Sequence, residues 1–205
     1  MMQRDPIIKV DRDNKGFTLV ELLVSMAVGM MLLAGFYSLF TLQNKRFDTE
    51  DQLVELHQNV GAAMQIIITD VRLAGYDPES AGGFFGVTCN QDQLELKADV
   101  VDPPNGEIDA VGENIIYRYD DETRQITRHV VGDENGEVPL IENVEAFVFD
   151  FLDLDGNATA FSSAVRQIRI SITGRTANRD PNFPLNDGFR TWTLTSLATP
   201  RNLFY

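Results

Sequence analysis

Cysteine and histidine are scarce in this chain of 205 residues, which contains only Cys89, His57 and His129 of these two types. One cysteine cannot form a disulfide within the chain, and no cysteine and histidine cluster stands at the spacing of zinc ligands. A structural zinc site is therefore excluded. Cys89 is either a small buried apolar residue or a thiol that pairs between molecules.

Positive charge is also limited. The chain has 17 basic and 31 acidic residues, for a formal net charge of −14. Such a surface repels the phosphates of nucleic acids, so direct nucleic acid binding is not expected. An acidic excess of this size more often serves solubility than a specific basic partner.

Common catalytic motifs are missing as well. The sequence has no Gly-x-Ser-x-Gly elbow, no His-Glu-x-x-His pair and no glycine loop of the phosphate-binding type. Serines and carboxylates without a well-placed histidine do not indicate catalysis. We therefore expect a protein that is not an enzyme and that needs no cofactor.

A long apolar run is the dominant positive feature. The 23 residues from Leu22 to Asn44 carry no formal charge, which is enough to span a hydrocarbon core of about 30 Å as a helix. The preceding leader, residues 1–16, contains four basic residues, and the positive-inside rule predicts that it lies in the cytoplasm. The run is too long for an ordinary cleaved secretory signal. It predicts a single-pass membrane segment.

The six residues before this run, Gly16-Phe17-Thr18-Leu19-Val20-Glu21, place one carboxylate inside an otherwise apolar segment. A charge in such a segment is costly unless it is paired. The segment resembles the processing site of type IV prepilins and of the pseudopilins of type II secretion. In that family a prepilin peptidase cuts after the glycine and methylates the new amino terminus. The resemblance implies cleavage between Gly16 and Phe17.

Glu21 occupies the fifth position of the mature chain that this cleavage would produce. In the family, the residue at that position is understood to pair with the amino terminus of a neighbouring subunit during filament assembly. The resemblance thus implies an assembly role for Glu21. The residues alone leave another interpretation open, in which Glu21 pairs with the Phe17 amine of its own chain or extends to water.

The helix is predicted to continue well beyond the apolar run. Apolar residues between Phe47 and Val71 recur every three or four positions, and Gly75 and Pro78 then favour a helix end. The predicted helix runs from about Phe17 to Ala74. We therefore divide the chain into the leader (1–16), an apolar membrane or filament-core half of the helix (17–44), an amphipathic half (45–75) and a β-rich globular domain (76–205).

Alternation of apolar and polar residues replaces the helical pattern after Pro78. Clusters of turn-forming residues separate the strand-like segments. This pattern predicts an α+β fold of the type IV pilin-like kind, in which the second half of the helix packs on an antiparallel sheet. The predicted strands are Leu94–Val100, Asn114–Tyr119, Gln125–Val131, Val144–Leu152, Ala164–Thr173 and Thr191–Leu197.

Three further segments narrow the resemblance within this class. They are residues 72–76 at the helix end, Ile116-Tyr117-Arg118-Tyr119 followed by Ile126-Thr127-Arg128, and Pro139-Leu140-Ile141-Glu142-Asn143-Val144. Together they resemble PilW-type minor pilins, and minor pseudopilins of the GspJ type have a similar outline. The resemblance implies a low-abundance subunit that primes pilus assembly or sits at the tip.

The expected partners follow from that resemblance. They are other pilin subunits contacted through the N-terminal helix, the prepilin peptidase, the inner-membrane assembly machinery and the membrane. The protein would first reside in the bacterial inner membrane, with its C-terminal domain in the periplasm, and then in the extracellular pilus. The main alternative is a minor pseudopilin of a type II secretion system. An alternative of another class is an enzyme or ligand-binding module that the helix merely tethers to the membrane.

One acidic segment permits a metal site. Asp150, Asp153, Asp155 and Asn157 place oxygen ligands near Gly156, as a calcium loop requires. The closing glutamate of an EF-hand is missing, because Phe161 and Ser162 lie where it would be expected. Calcium binding and an acidic hairpin turn after a strand are the two interpretations of this segment.

Overall fold

The computed structural model describes residues 16–80, 83–101 and 103–203. The predicted leader, apart from Gly16, lies outside the described residues. A single long helix, α1 (Leu19–Leu73), comes first among the described elements and is followed by strands that pair in antiparallel fashion. The predicted α+β class with a long N-terminal helix is confirmed.

Helix α1 begins and ends within two residues of the predicted positions 17 and 74. Its last turn leads into Gly75, whose φ of 80° lies in the left-handed region that glycine adopts without strain. The N–H of Tyr76 donates to the carbonyl of Leu73 (3.0 Å), and the N–H of Gly75 donates to the carbonyl of Lys97 (2.8 Å). The chain thus leaves the helix directly toward the first sheet.

The chain divides into two units between Asp48 and Thr49. The described part of the first unit, residues 16–48, is helical from Leu19 onward. Its large apolar side chains are exposed, including Leu22, Met31 and Phe40. In water such a surface would be unfavourable, which is consistent with an apolar environment around this part of the chain.

In the second unit, residues 49–205, the described residues form two antiparallel sheets rather than the one that the sequence predicted. Each sheet joins its strands in sequence order. The first sheet contains β1 (Val87–Thr88), β2 (Gln93–Lys97), β3 (Asn114–Asp120), β4 (Gln125–Val130) and β5 (Glu137–Ile141). The second contains β6 (Val144–Leu152), β7 (Gln167–Arg175) and β8 (Thr191–Ala198).

The break between the sheets occurs at Asn143, between β5 and β6. Asn143 has a φ of 58°, a left-handed conformation that asparagine tolerates better than most residues. The N–H of Val144 then donates to the carbonyl of Arg124, and the carbonyl of Asn143 accepts from Arg175 of β7. These contacts redirect the chain, so β6 pairs with β7 instead of forming a hairpin with β5.

The six predicted strands are all present; β6 has the predicted bounds, and the other five have shifted ends. The largest shifts are three residues: β2 ends at Lys97, and β7 begins at Gln167 because a short 3-10 turn, Ser162–Ala164, precedes it. Strands β1 and β5 were not predicted. Strand β1 has only two residues, and β5 contains Pro139, which disfavours a strand interior and is tolerated at a sheet edge.

The core of the second unit lies between α1 and the two sheets. One face of α1 contributes residues spaced three or four apart, as the sequence pattern predicted. At Gly174 of β7 the helix approaches closely, since a Cβ atom there would lie 2.6 Å from the Leu56 side chain and 2.7 Å from that of Val60. The buried residues of α1 are Leu56, Val60, Ala63, Met64, Ile67 and Val71.

A polar cluster of Asp70, Tyr117 and Arg128 connects α1 to the first sheet within this core. Tyr117 of β3 is fully buried, and its hydroxyl donates to Asp70 Oδ2 of α1. Arg128 Nε of β4 donates to the same carboxylate oxygen and to the Tyr117 hydroxyl oxygen, at 3.1 Å each. Burial, together with the negative charge of Asp70, raises the pKa of Tyr117 far above its usual value, so the hydroxyl stays protonated.

Candidate processing and assembly site

The predicted cleavage point lies immediately before α1. Gly16 and Phe17 precede the helix, are not helical, and are exposed, with Phe17 89% accessible. Apart from its chain neighbours, no atom of the described residues lies within 4 Å of the position that a Cβ at Gly16 would occupy. The peptide bond between Gly16 and Phe17 therefore lies in a non-helical, exposed part of the described chain.

Thr18 and Glu21 form a reciprocal capping box at the start of α1. The hydroxyl of Thr18 accepts from the N–H of Glu21 at 3.2 Å. Glu21 Oε2 in turn accepts from the Thr18 N–H and from the Thr18 hydroxyl, at 2.9 Å each. Two N–H groups that would otherwise lack partners at the helix start are satisfied in this way.

This capping box was missed at the sequence level, although the signal was present. Threonine followed three positions later by glutamate, before an apolar run, is the sequence pattern of a capping box. It shows that Glu21 has a local partner in the unprocessed chain, which the two earlier interpretations of this carboxylate did not include. Among the described residues, the second carboxylate oxygen, Oε1, has no hydrogen bond.

The segment that follows the box is apolar on all sides. Helix α1 is the one helix in the described ranges long and apolar enough to cross a membrane, judged by length and composition. Its most apolar window has no residue buried by the rest of the chain. The predicted cleavage point, the Glu21 carboxylate and the apolar helix are thus adjacent in one continuous segment.

The acidic segment after β6 is a tight turn. Asp153 Oδ1 accepts from the backbone N–H of Asp155 (3.0 Å) and of Asn157 (2.8 Å). Asp150 instead pairs with Arg169 of β7 at 3.4 Å. Across residues 16–80, 83–101 and 103–203, no group of three or more His, Cys, Asp or Glu side chains is arranged to hold a metal ion. Calcium binding at Asp150, Asp153, Asp155 and Asn157 stays a prediction.

Cys89 is half-buried and forms no disulfide. Its backbone N–H donates to Ser162 Oγ at 3.1 Å. Burial raises the pKa of the Cys89 thiol, which favours the protonated and unreactive form.

Comparison with known proteins identifies the N-terminal segment. Residues 11–37 match the family model of the prokaryotic N-terminal methylation motif. The chain therefore carries the N-terminal methylation motif of type IV prepilins, and Gly16, Phe17 and Glu21 all lie inside the matched range.

Among solved structures, a type IV-like pilin from Thermus thermophilus is similar to this chain. The two are 13% identical, the alignment covers 73% of this chain and 98% of the pilin, and the TM-score is 0.49. No curated protein matches the sequence significantly.

Proposed function

We propose that this protein is a minor pilin, processed by a prepilin peptidase and incorporated into a type IV pilus, where it primes assembly or occupies the tip. The observation that carries the proposal is the methylation motif over residues 11–37, joined without interruption to an exposed apolar helix. A helix of this kind needs lipid or other helices around it at every stage. A filament core of packed helices meets that need after the helix leaves the membrane.

The capping box suggests how the Glu21 carboxylate is held in the apolar segment, ready to pair with an amine, before assembly. Thr18 supplies two donors to Oε2, which lowers the cost of holding a carboxylate in an apolar segment. Removal of the leader would create an α-amino group at Phe17. In our proposal, Oε1 accepts the amine of a neighbouring subunit while Oε2 stays bound to Thr18.

The proposal also implies a cellular location for each part of the chain. The leader would lie in the cytoplasm, α1 would anchor the protein in the inner membrane, and the sheets would lie in the periplasm until the assembly machinery extracts the subunit. The first partners are the prepilin peptidase and other pilin subunits. A minor pseudopilin of a type II secretion system would share this chemistry, and the same segment supports both.

The test separates the two roles of Glu21. Glu21→Gln retains an oxygen that can accept from Thr18 but removes the charge, whereas Glu21→Ala removes both. We expect both variants to insert in the membrane and to be cut after Gly16, but to be lost from sheared filaments. Thr18→Ser, which keeps the capping hydroxyl, is the matched control and should incorporate normally.

Two outcomes would contradict the proposal. Normal incorporation of Glu21→Gln would show that the residue acts as a helix cap and not through its charge. Mass spectrometry of the amino-terminal peptide from the native host should find methylated Phe17 as the first residue. A mature protein that still begins at Met1 would favour the membrane-tethered module instead.

A further inference from the structure

The two sheets have four edge strands, and three of them carry features that block pairing with another chain. Strand β1 has only two residues. Strand β5 contains Pro139 and Glu137, and its pairing with β4 is interrupted by a register shift. Short edges, proline, charge and bulges are the usual means of preventing strand addition.

Strand β6 is protected in a different way. It carries Glu145 and Asp150 and has a register shift near its start. The hydroxyl of Tyr119 donates to the carbonyls of Val144 and Glu145, at 3.1 and 3.2 Å. Near its end, the carbonyl of Phe151 accepts from the N–H of Thr159 at 2.9 Å. At both ends of this edge, backbone carbonyls are therefore already hydrogen-bonded and cannot pair with an added strand.

Strand β8 has none of these features. Its eight residues, TWTLTSLA, include no charge and no proline, in a chain in which 23% of residues are charged. It pairs with β7 in a continuous register over its whole length. In an exposed edge strand, this combination of length, regularity and neutrality favours pairing with another strand.

The free edge of β8 offers backbone groups at alternate residues. Just before β8, the N–H of Thr176 donates to the carbonyl of Arg190, which places the even-numbered residues on the β7 side. The backbone N–H and C=O groups of the odd-numbered residues point away from β7, and these residues are all exposed. In the part of the chain that the structure describes, nothing bonds to their backbone N–H and C=O groups, which belong to Thr191, Thr193, Thr195 and Leu197.

A ladder of hydroxyl groups runs toward the same edge. Thr195 Oγ1 is hydrogen-bonded to Ser171 Oγ at 2.7 Å, and Thr193 Oγ1 to Thr173 Oγ1 at 2.8 Å. Each hydroxyl has one donor and two acceptor positions, so the threonines of β8 can bond a further strand. A charged side chain opposite them would find no counter-charge on β8.

We infer that β8 is a strand-addition site for a neighbouring filament subunit other than a second copy of this chain. The partner is an extended, uncharged segment with serine or threonine at alternate positions, which continues the hydroxyl ladder. This inference rests on the proposed function, because it assumes that subunits share one orientation in the membrane.

That shared orientation is the reason for excluding a second copy. Antiparallel pairing of β8 with itself relates the two chains by a two-fold axis perpendicular to the sheet. Because α1 packs on this sheet at Gly174, that axis would reverse α1 in the second copy. Two chains that enter one membrane by the start of the same helix cannot pair in this way. Parallel pairing of β8 with itself would keep the direction of α1 but would place the two helices on opposite faces of the joined sheet, whereas a filament core gathers the helices on one side.

The experiment uses the full-length protein in its native host. We replace Thr193 with the photoreactive residue p-benzoylphenylalanine, and in a separate strain we replace Val148, which is 52% accessible and lies on the protected strand β6. Illumination should cross-link position 193, but not position 148, to another protein that bears an N-terminal methylation motif. The cross-linked peptide should map to an uncharged, hydroxyl-bearing strand.

A second variant tests the edge itself. Thr195→Lys places a charge on β8 and should abolish the cross-link from position 193 and reduce filament incorporation. Ser171→Ala is the matched control, because it removes the same hydroxyl pair but leaves the edge uncharged, and it should retain both. Equal cross-linking at 148 and 193, adducts only with a second copy, or normal behaviour of Thr195→Lys would overturn the inference.

The two proposals fail in different ways. If Thr195→Lys is cut to begin at Phe17 and still incorporates, the strand-addition site is wrong while the pilin assignment stands. If the wild-type chain still begins at Met1, the pilin assignment itself is wrong.

Discussion

Replacement of Tyr117 by phenylalanine tests how α1 is held on the first sheet. The side chain is fully buried, and its hydroxyl contacts both Asp70 and Arg128. Removing a hydrogen bond to a charged group costs about 1.5–3 kcal/mol. The ion pair between Arg128 and Asp70, at 3.1 Å, remains in the variant and limits the loss. We expect Tyr117→Phe to lower the free energy of unfolding by about 2 kcal/mol.

The assay is urea denaturation of the full-length protein in detergent, followed by the fluorescence of Trp192. This residue is the one tryptophan in the sequence and lies in β8 of the second sheet. It packs against His57 of α1 with ring centroids 4.4 Å apart, so its fluorescence reports on the second sheet and on α1 together. Glu137→Gln is the matched control. It breaks the exposed pair with Arg118 and should change stability by less than about 1 kcal/mol.

The same cluster predicts a dependence on alkaline pH. The folded-state pKa of Tyr117 is raised above its usual value of 10.0, so the unfolded chain loses the proton first as pH rises. The stability contributed by the neutral hydroxyl is complete below pH 10 and declines above it, by about 1.4 kcal/mol per pH unit. The difference between the wild type and Tyr117→Phe should shrink accordingly. The reasoning would be refuted if Tyr117→Phe lowered the free energy of unfolding no more than Glu137→Gln does. It would also be refuted if the difference in this free energy between the wild type and Tyr117→Phe stayed constant above pH 10.

Two further predictions concern packing and the acidic turn. Gly174→Val should destabilise the second unit by about 2 kcal/mol, because its Cβ would overlap the side chains of Leu56 and Val60. Gly61→Ala should not destabilise it, because in the described part of the chain a Cβ at this helical position meets nothing within 4 Å beyond its own helix backbone and chain neighbours. Equal urea midpoints for the two variants would contradict the packing. Asp153→Ala should lower stability by about 1 kcal/mol with or without calcium, since two backbone N–H groups lose their acceptor. A calcium-dependent rise in the midpoint would instead show a metal site there.

The sequence alone determined the features that depend on neighbouring residues. The continuous apolar run and the three- and four-residue spacing that follows it predicted α1 to within two residues, because helix formation and its termination at Gly75 are local events. The methylation motif is likewise a contiguous segment, which is why roles for Gly16, Phe17 and Glu21 could be predicted without coordinates. The capping box between Thr18 and Glu21 was equally local and was overlooked.

Tertiary structure decided how the strands are grouped. Division into two sheets depends on the left-handed Asn143 and on hydrogen bonds from Val144 and Arg175 to distant residues, which no local pattern encodes. The open edge of β8 exists only because β7 occupies one side and no described strand occupies the other. Alternation along a strand indicates which face is buried, but its neighbours are set by contacts between residues far apart in the chain.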